Sequence, residues 1–387
     1  MVPVAGLGIL AMVPAMASGK LFSVAIVTMS LALAACGGRP AATVLLPVDG
    51  AAGTKQVKVF VATTRERSKS NDYGFTSWRS NALNYAQYNV SIPPGHVNGE
   101  IEWPKSNPGN AATEMVVTSS QALDKDSFAK TISAQGDGRV LVFVHGYNSS
   151  YQEAMFRLAE IKQDGGFPGT AVAFAWPSRA TLTGYVADRE SANYSRDYLE
   201  SFLNDLAATP GVKSIAIMAH SMGNWLTVET LRQARLRGSS PFVSKLEEVF
   251  LIAPDVDIDV FGKQMTVIGR LNRPVTVLVS SDDLALKTSQ RIAGDVPRVG
   301  NSTDADPNMR KLIDKFGLRV VDLSKVESDD YLKHSKYTSV LSQISAVTKS
   351  DSGAASGDPF TRTGLFVLDT AGNILKAPSE ILQAAPQ

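Results

Sequence analysis

The stretch Val212-Lys213-Ser214-Ile215-Ala216-Ile217-Met218 runs into Ala219-His220-Ser221-Met222-Gly223 and then into a longer run over 224–237. The first part is short and apolar and predicts a buried strand; the last has the length and apolar spacing of a helix. A serine on a sharp turn between a strand and a helix has its hydroxyl thrust out at the end of a sheet, within reach of a reactant. The turn is tight, so the positions two before and two after the serine must be small, and here they are Ala219 and Gly223. That spacing is weak by itself. The strand before it and the helix after it give it weight.

Working outward, the same texture repeats. Residues 140–144 and 171–175 are continuous apolar runs, and further ones occupy 249–253, 275–280 and 318–323. Between them lie helical patterns over 148–162 and 188–208, the second with Tyr194, Tyr198, Phe202 and Leu206 at i+4 intervals. Continuous apolar strands alternating with helices predict an α/β fold whose mostly parallel sheet is covered on both faces. Ahead of this region, 57–61 and 88–92 read as strands, and the polar segment 65–80 reads as a loop.

A serine hydroxyl is a poor nucleophile at neutral pH and needs a base held by an acid. In serine sites of the strand–turn–helix kind, the acid and then the histidine follow the nucleophile along the chain. The chain has four histidines. His96 and His145 precede Ser221, and His220 is its neighbour, pointed away by the turn, which leaves His334 as the base. Asp283 and Asp282 follow the 275–280 strand, and Asp255 follows the 249–253 strand. Asp283 is favoured as the acid, with Asp282 and Asp255 as alternatives; an aspartate not used there would cap a helix. The oxyanion of an acyl-transfer intermediate needs N–H donors. The backbone N–H of Met222 is one, and that of Tyr147, in the turn His145-Gly146-Tyr147-Asn148, is the other. His145 is expected to be buried in that turn as a structural element. Trp176-Pro177-Ser178-Arg179 either lines the site or forms a plain turn.

The 387 residues carry a net charge of +1, with 44% hydrophobic and 19% charged residues, which gives no support to nucleic-acid binding. No metal-ligand spacing and no glycine-rich phosphate loop occurs, since Gly136-Asp137-Gly138 lacks the Lys-Ser/Thr end. No metal or cofactor is expected. The single cysteine, Cys36, follows Lys20, an apolar stretch and Leu33-Ala34-Ala35, the pattern of an export signal. A cysteine there resembles the lipidation site of bacterial lipoproteins, which implies a lipid anchor at Cys36 and a cell-envelope location facing the periplasm. Residues 1–19 hold a second apolar stretch, and translation from Met16 would give a compact charged head. The chain is thus divided into a leader over 1–35, a tether over 36–54, a catalytic domain over 55–345, and a linker with tail over 346–387. Within the tail, 349–358 reads as flexible and the segments around Leu365 and Ile374 as a small hairpin.

Together, Val142-Phe143-Val144-His145-Gly146-Tyr147-Asn148, Phe174-Ala175-Trp176-Pro177-Ser178, Ala219-His220-Ser221-Met222-Gly223 and Ala253-Pro254-Asp255-Val256-Asp257 resemble bacterial esterase/lipase-like α/β-hydrolases. Phe60-Val61-Ala62-Thr63-Thr64-Arg65 and Val90-Ser91-Ile92-Pro93-Pro94-Gly95-His96 resemble the N-terminal strand extension of the same group. The resemblance spans about 55–345 and implies the α/β-hydrolase fold with a Ser221–Asp283–His334 triad. It departs from the usual small residue two before the serine only in having Ala219 rather than glycine. It implies hydrolysis of a small-molecule or lipid ester, by fold-level analogy. The same residues would also serve an acyltransferase, thioesterase or amidase, and a non-catalytic envelope interaction protein could keep the fold.

Overall fold

The computed structural model describes residues 39–69, 74–238, 240–303, 306–328, 330–341, 364–370 and 373–376. The leader, Cys36 and the 349–358 linker lie outside them. The description below concerns the unit that starts at Ala42.

Three antiparallel strands open the fold: β1 (Lys55–Arg67), β2 (Phe75–Ile92) and β3 (Val116–Leu123). After α1 (Lys125–Ser133) the chain alternates through β4 (Arg139–Val144), α2 (Tyr151–Asp164), β5 (Thr170–Ala175), α3 (Tyr185–Ala208), β6 (Ser214–His220) and α4 (Met222–Arg237). It continues with the short α5 (Pro241–Ser244), β7 (Leu246–Ile252), α6 (Ile258–Ile268), β8 (Thr276–Val279), α7 (Leu284–Ile292), α8 (Pro307–Phe316) and β9 (Arg319–Lys325). Strands β10 (Gly364–Asp369) and β11 (Ile374–Lys376) follow. Among the described residues the sheet order is β11-β10-β9-β8-β7-β6-β4-β5-β1-β2-β3. Pairing is parallel from β1 through β10 and antiparallel at both margins.

The continuous apolar strands are explained by burial on two sides. In β4, Val140, Val142 and Val144 join the core that holds α3, α4 and α6, while Leu141 and Phe143 join the core that holds α2. Each such fully buried valine contributes roughly 1.5–3 kcal/mol. The expected mostly parallel sheet with helices on both faces and an N-terminal strand extension is therefore the observed one.

Several readings need correction. The polar 65–80 segment is largely strand: β1 runs on to Arg67 and β2 begins at Phe75. Beyond the sheet body this hairpin is partly exposed, so its residues are polar without being loop. The buried stripe of α3 is Ala192, Ser195, Leu199, Phe202 and Leu206, and Tyr194 and Tyr198 lie at its border. Small residues in that stripe let the helix approach the sheet closely. Part of the segment read as a tether is docked: Ala42–Leu45 forms a 3-10 turn, Leu45 is buried with Phe75 and Tyr151, and the Val48 N–H donates to the Val117 carbonyl at 2.9 Å. The tail hairpin is real, but it is no appendage, because β10 pairs in parallel with β9 and buries Leu368.

Strand register lines up one edge of the sheet. Val144 pairs with Phe174 and Ala219, His220 with Ile252, and Ile252 with Leu278. The chain steps from β4 to β5 on one side and returns past β4 to β6 on the other. The helices after β4 and β6 then pack on opposite faces, and a crevice opens outside the carboxyl ends where the winding reverses.

Candidate active site

Ser221 sits at the end of β6 with φ 52° and ψ −122°. For a residue with a side chain this conformation costs about 1–3 kcal/mol and persists only where neighbours hold it. Here they do. The Ser221 N–H donates to the Ile252 carbonyl at 2.9 Å, and the Ser221 carbonyl accepts from the N–H groups of Asn224 at 3.1 Å and Asp255 at 3.3 Å. Buried Asn224 adds Nδ2 bonds to the carbonyls of Ser221 at 2.9 Å and Ile252 at 2.8 Å. A Cβ on Gly223 would lie 2.5 Å from the carbonyl oxygens of Val144 and His145, so only glycine lets α4 start this close to β4. A Cβ on Gly146 would lie 2.8 Å from Cβ of Ser221. The turn after β4 is therefore pressed against the serine.

The three aspartates separate cleanly. His334 Nδ1–H donates to Asp283 Oδ2 at 2.6 Å, and the other oxygen of this buried carboxylate accepts the Leu286 N–H at 2.9 Å. Asp283 thus caps α7 and holds His334 at once, so capping a helix and pairing with a histidine are not alternatives. Asp282 turns to Lys336 Nζ at 2.7 Å, Lys333 Nζ at 3.0 Å and Ser280 Oγ at 2.5 Å. Burial raises its pKa, but these donors overcome burial and bring it down to about 2. Asp255 is buried against Arg298 Nε at 3.2 Å, accepts from Tyr185 Oη at 2.9 Å, and accepts from Ser289 Oγ. Neither alternative acid touches a histidine ring among the described residues.

His334 is held at its backbone too, because Asp330 Oδ2 accepts the N–H groups of His334 at 2.9 Å and Ser335 at 3.1 Å. Burial lowers its pKa, while the charge and hydrogen bond of Asp283 outweigh burial and raise it above the usual value. His220 is expected to point away from Ser221. It packs its ring 4.6 Å from that of His334, and its Nε2–H donates to the His334 carbonyl at 3.2 Å. Burial and the neighbouring His334 keep it well below the usual range, so it is a neutral prop for the His334 loop.

The turn after β4 is cross-braced. His145 is buried and stacked on Trp176 at 4.8 Å, as a structural element, and burial brings its pKa down to about 3. Its Nε2–H donates to the Trp176 carbonyl at 3.0 Å, and the indole N–H returns a bond to the His145 carbonyl at 2.7 Å. Asp188, fully buried at the start of α3, accepts from Asn148 N–H at 3.1 Å, Arg179 N–H at 2.6 Å and Ser178 Oγ at 2.6 Å. Arg65, buried at the end of β1, donates from Nη2 to the Ser149 carbonyl at 2.9 Å. The Trp176-Pro177-Ser178 turn therefore buttresses the Gly146–Tyr147 turn. Tyr147 Oη donates to the Thr181 carbonyl at 3.2 Å and to that of Leu182. Met222 opens α4, and N–H groups in a first helical turn have no partner within the helix.

Sequence reasoning missed Asn224, Asp188 and Arg65. Their only signal was a polar or charged residue among apolar positions at an element end. Among the described residues, no three His, Cys, Asp or Glu side chains are grouped so as to hold a metal ion.

No curated protein is matched by the chain. Among solved structures, an esterase from the archaeon Pyrobaculum calidifontis is 14% identical, with 87% of this chain and 94% of that one aligned at a TM-score of 0.32. A Rhizomucor miehei esterase is 11% identical over 87% of this chain and 92% of that one, at a TM-score of 0.34. A poly(3-hydroxybutyrate) depolymerase from Bordetella parapertussis is 12% identical over 81% and 94%, at 0.35. The family model described as "Alpha/beta hydrolase of unknown function (DUF900)" matches residues 120–349, more than half of the chain. The protein belongs to that alpha/beta hydrolase family.

Proposed function

We propose that the protein is a serine hydrolase acting on carboxylic esters. The observation that carries the reading is the Asp283–His334 pair at the sheet edge where strained Ser221 stands. In the first half-reaction the Ser221 Oγ–carbonyl carbon bond forms while His334 Nε2 takes the hydroxyl proton. Asp283 steadies the imidazolium, and the N–H groups of Met222 and Tyr147 hold the oxyanion. The ester C–O bond then breaks, and the leaving alkoxide takes the proton from His334. In the second half-reaction water attacks the acyl-enzyme through the same base and releases the acid.

The Leu33-Ala34-Ala35-Cys36 signal supports an exported form tethered by lipid at Cys36, facing the periplasm. Among the described residues no helix is long and apolar enough to cross a membrane. Fractionation of cells expressing Cys36→Ser tests the tether: release from the membrane fraction is expected, and an unchanged distribution refutes it.

The decisive experiment on chemistry is hydrolysis of 4-nitrophenyl acetate by the intact chain and by Ser221→Ala. A loss of at least about 10³-fold is expected. Equal rates would overturn the reading. A fluorophosphonate probe located by mass spectrometry should label Ser221 in the intact chain.

A further inference from the structure

Beside the Ser221 turn lies an open cavity of about 240 Å³. It is lined by Gly146, which is pressed against Ser221, by His220 and Ser335, the chain neighbours of Ser221 and His334, and by His145, while Trp103, Phe143 and Tyr337 supply apolar surface. Arg157 of α2 lines the same space. Among the described residues its guanidinium is hydrogen-bonded through Nη1 only, to the Gly99 carbonyl at 3.3 Å and Glu160 Oε2 at 3.1 Å. Nε and Nη2 form the side edge of the guanidinium, two parallel N–H donors that match a carboxylate bidentately. The Arg157 side chain is 26% exposed, whereas Arg65 Nε is sealed from solvent without a partner.

The other ionisable groups around that charge are each engaged or neutral. Burial holds His145 and His220 neutral. Glu153, one turn earlier on α2, also lines the cavity, and its Oε2 accepts the Ser150 N–H in a capping box at 2.7 Å. Glu160 is fully buried behind Arg157, and burial pushes its carboxyl up to about 7, so it offsets the guanidinium only in part at neutral pH. Asp164 is engaged by His96 Nε2 at 2.8 Å. The space is smaller than the roughly 300 Å³ at which pockets for drug-sized ligands begin, so it suits a short group.

We propose that this cavity is a subsite for a carboxylate carried by a short ester substrate, with Arg157 as the specificity-determining residue. The favoured substrates are then half-esters of small dicarboxylic acids. The inference rests on the serine-hydrolase reading of the adjoining site, but its test does not need turnover.

Calorimetry on Ser221→Ala compares monomethyl glutarate with methyl butyrate, which resembles it but lacks the anionic carboxylate. The half-ester is expected to bind at least tenfold more tightly, with Arg157→Gln abolishing the difference and Arg157→Lys restoring part of it. Equal affinities for the two esters, or a preference that survives in folded Arg157→Gln, would overturn the subsite. Should Arg157→Gln fail to fold, phenylglyoxal modification of Arg157 in Ser221→Ala reads the same contact. Protection by monomethyl glutarate and not by methyl butyrate is expected, and no protection refutes the proposal. A chain that binds the half-ester but never hydrolyses an ester keeps the subsite and loses the serine reading. One that hydrolyses neutral esters without preferring the half-ester keeps the serine reading and loses the subsite.

Discussion

His220 and His334 lie ring against ring, yet their protonation is driven in opposite directions. Burial acts downward on both, and only His334 has a carboxylate, Asp283, at 2.6 Å to reverse it. A base works deprotonated, so kcat/KM should fall as pH drops through the His334 pKa, and that midpoint should lie above 6.5. In Asp283→Asn the midpoint should move to lower pH while kcat falls by about 10⁴-fold. A pH–rate profile of both proteins checks this, and an unmoved midpoint would exclude Asp283 as the partner that matters. Asp255, Asp282 and Asp283 all follow strand ends, so sequence position favours Asp283 but leaves the other two open. The path of the backbone after β8 separates them, turning Asp282 to two lysines and Asp283 inward.

At the scale of elements, the turn after β4 owes its shape to groups from β1, the β5–α3 connection and α3. Asp188→Asn would set an amide N–H₂ against the donors of Asn148, Arg179 or Ser178, at a cost of about 1–3 kcal/mol. Because the Tyr147 N–H rides on that turn, kcat should fall by at least about tenfold with KM little changed. Steady-state kinetics alongside thermal melting separate this from a purely structural loss. A second clasp joins the β2–β3 connection to the end of α2. His96 donates to Glu102 at 2.9 Å through Nδ1 and to Asp164 at 2.8 Å through Nε2. Burial lowers the His96 pKa, but the two carboxylates raise it above the usual 6.5. Its contribution to stability is therefore full below about 6.5 and is lost as pH rises through the folded-state value. His96→Gln should cost about 2 kcal/mol at pH 6 and less at pH 9, as melting curves at the two pH values would show. Parallel strands were legible because burial on both faces leaves them continuously apolar, as in Val140–Val144. The outer half of the β1–β2 hairpin was not, because its β2 arm is too exposed to carry an apolar pattern and its β1 arm buries polar side chains, Thr63, Thr64 and Arg65.

At the scale of the molecule, both ends of the expected catalytic domain extend further than composition implies. Leu45 lies in the core ahead of β1, and β10 covers the edge of β9. A chain ending at residue 345 would lose the burial of Phe366 and Leu368, roughly 3–6 kcal/mol, and leave the β9 edge unpaired. It should melt lower and scatter more light than the chain reaching 387. An equal melting temperature would show that β10 adds nothing.

Sequence alone determined the parallel α/β layers and the serine on its turn, and nominated three candidate acids and one candidate base, because apolar continuity, small residues and chain order are local properties. Tertiary structure alone decided which aspartate meets His334, why His220 stays neutral, and how Asp188 and Arg65 brace the turn beside Ser221. Those outcomes depend on burial and on contacts between residues far apart in the chain, and no window of sequence contains both partners.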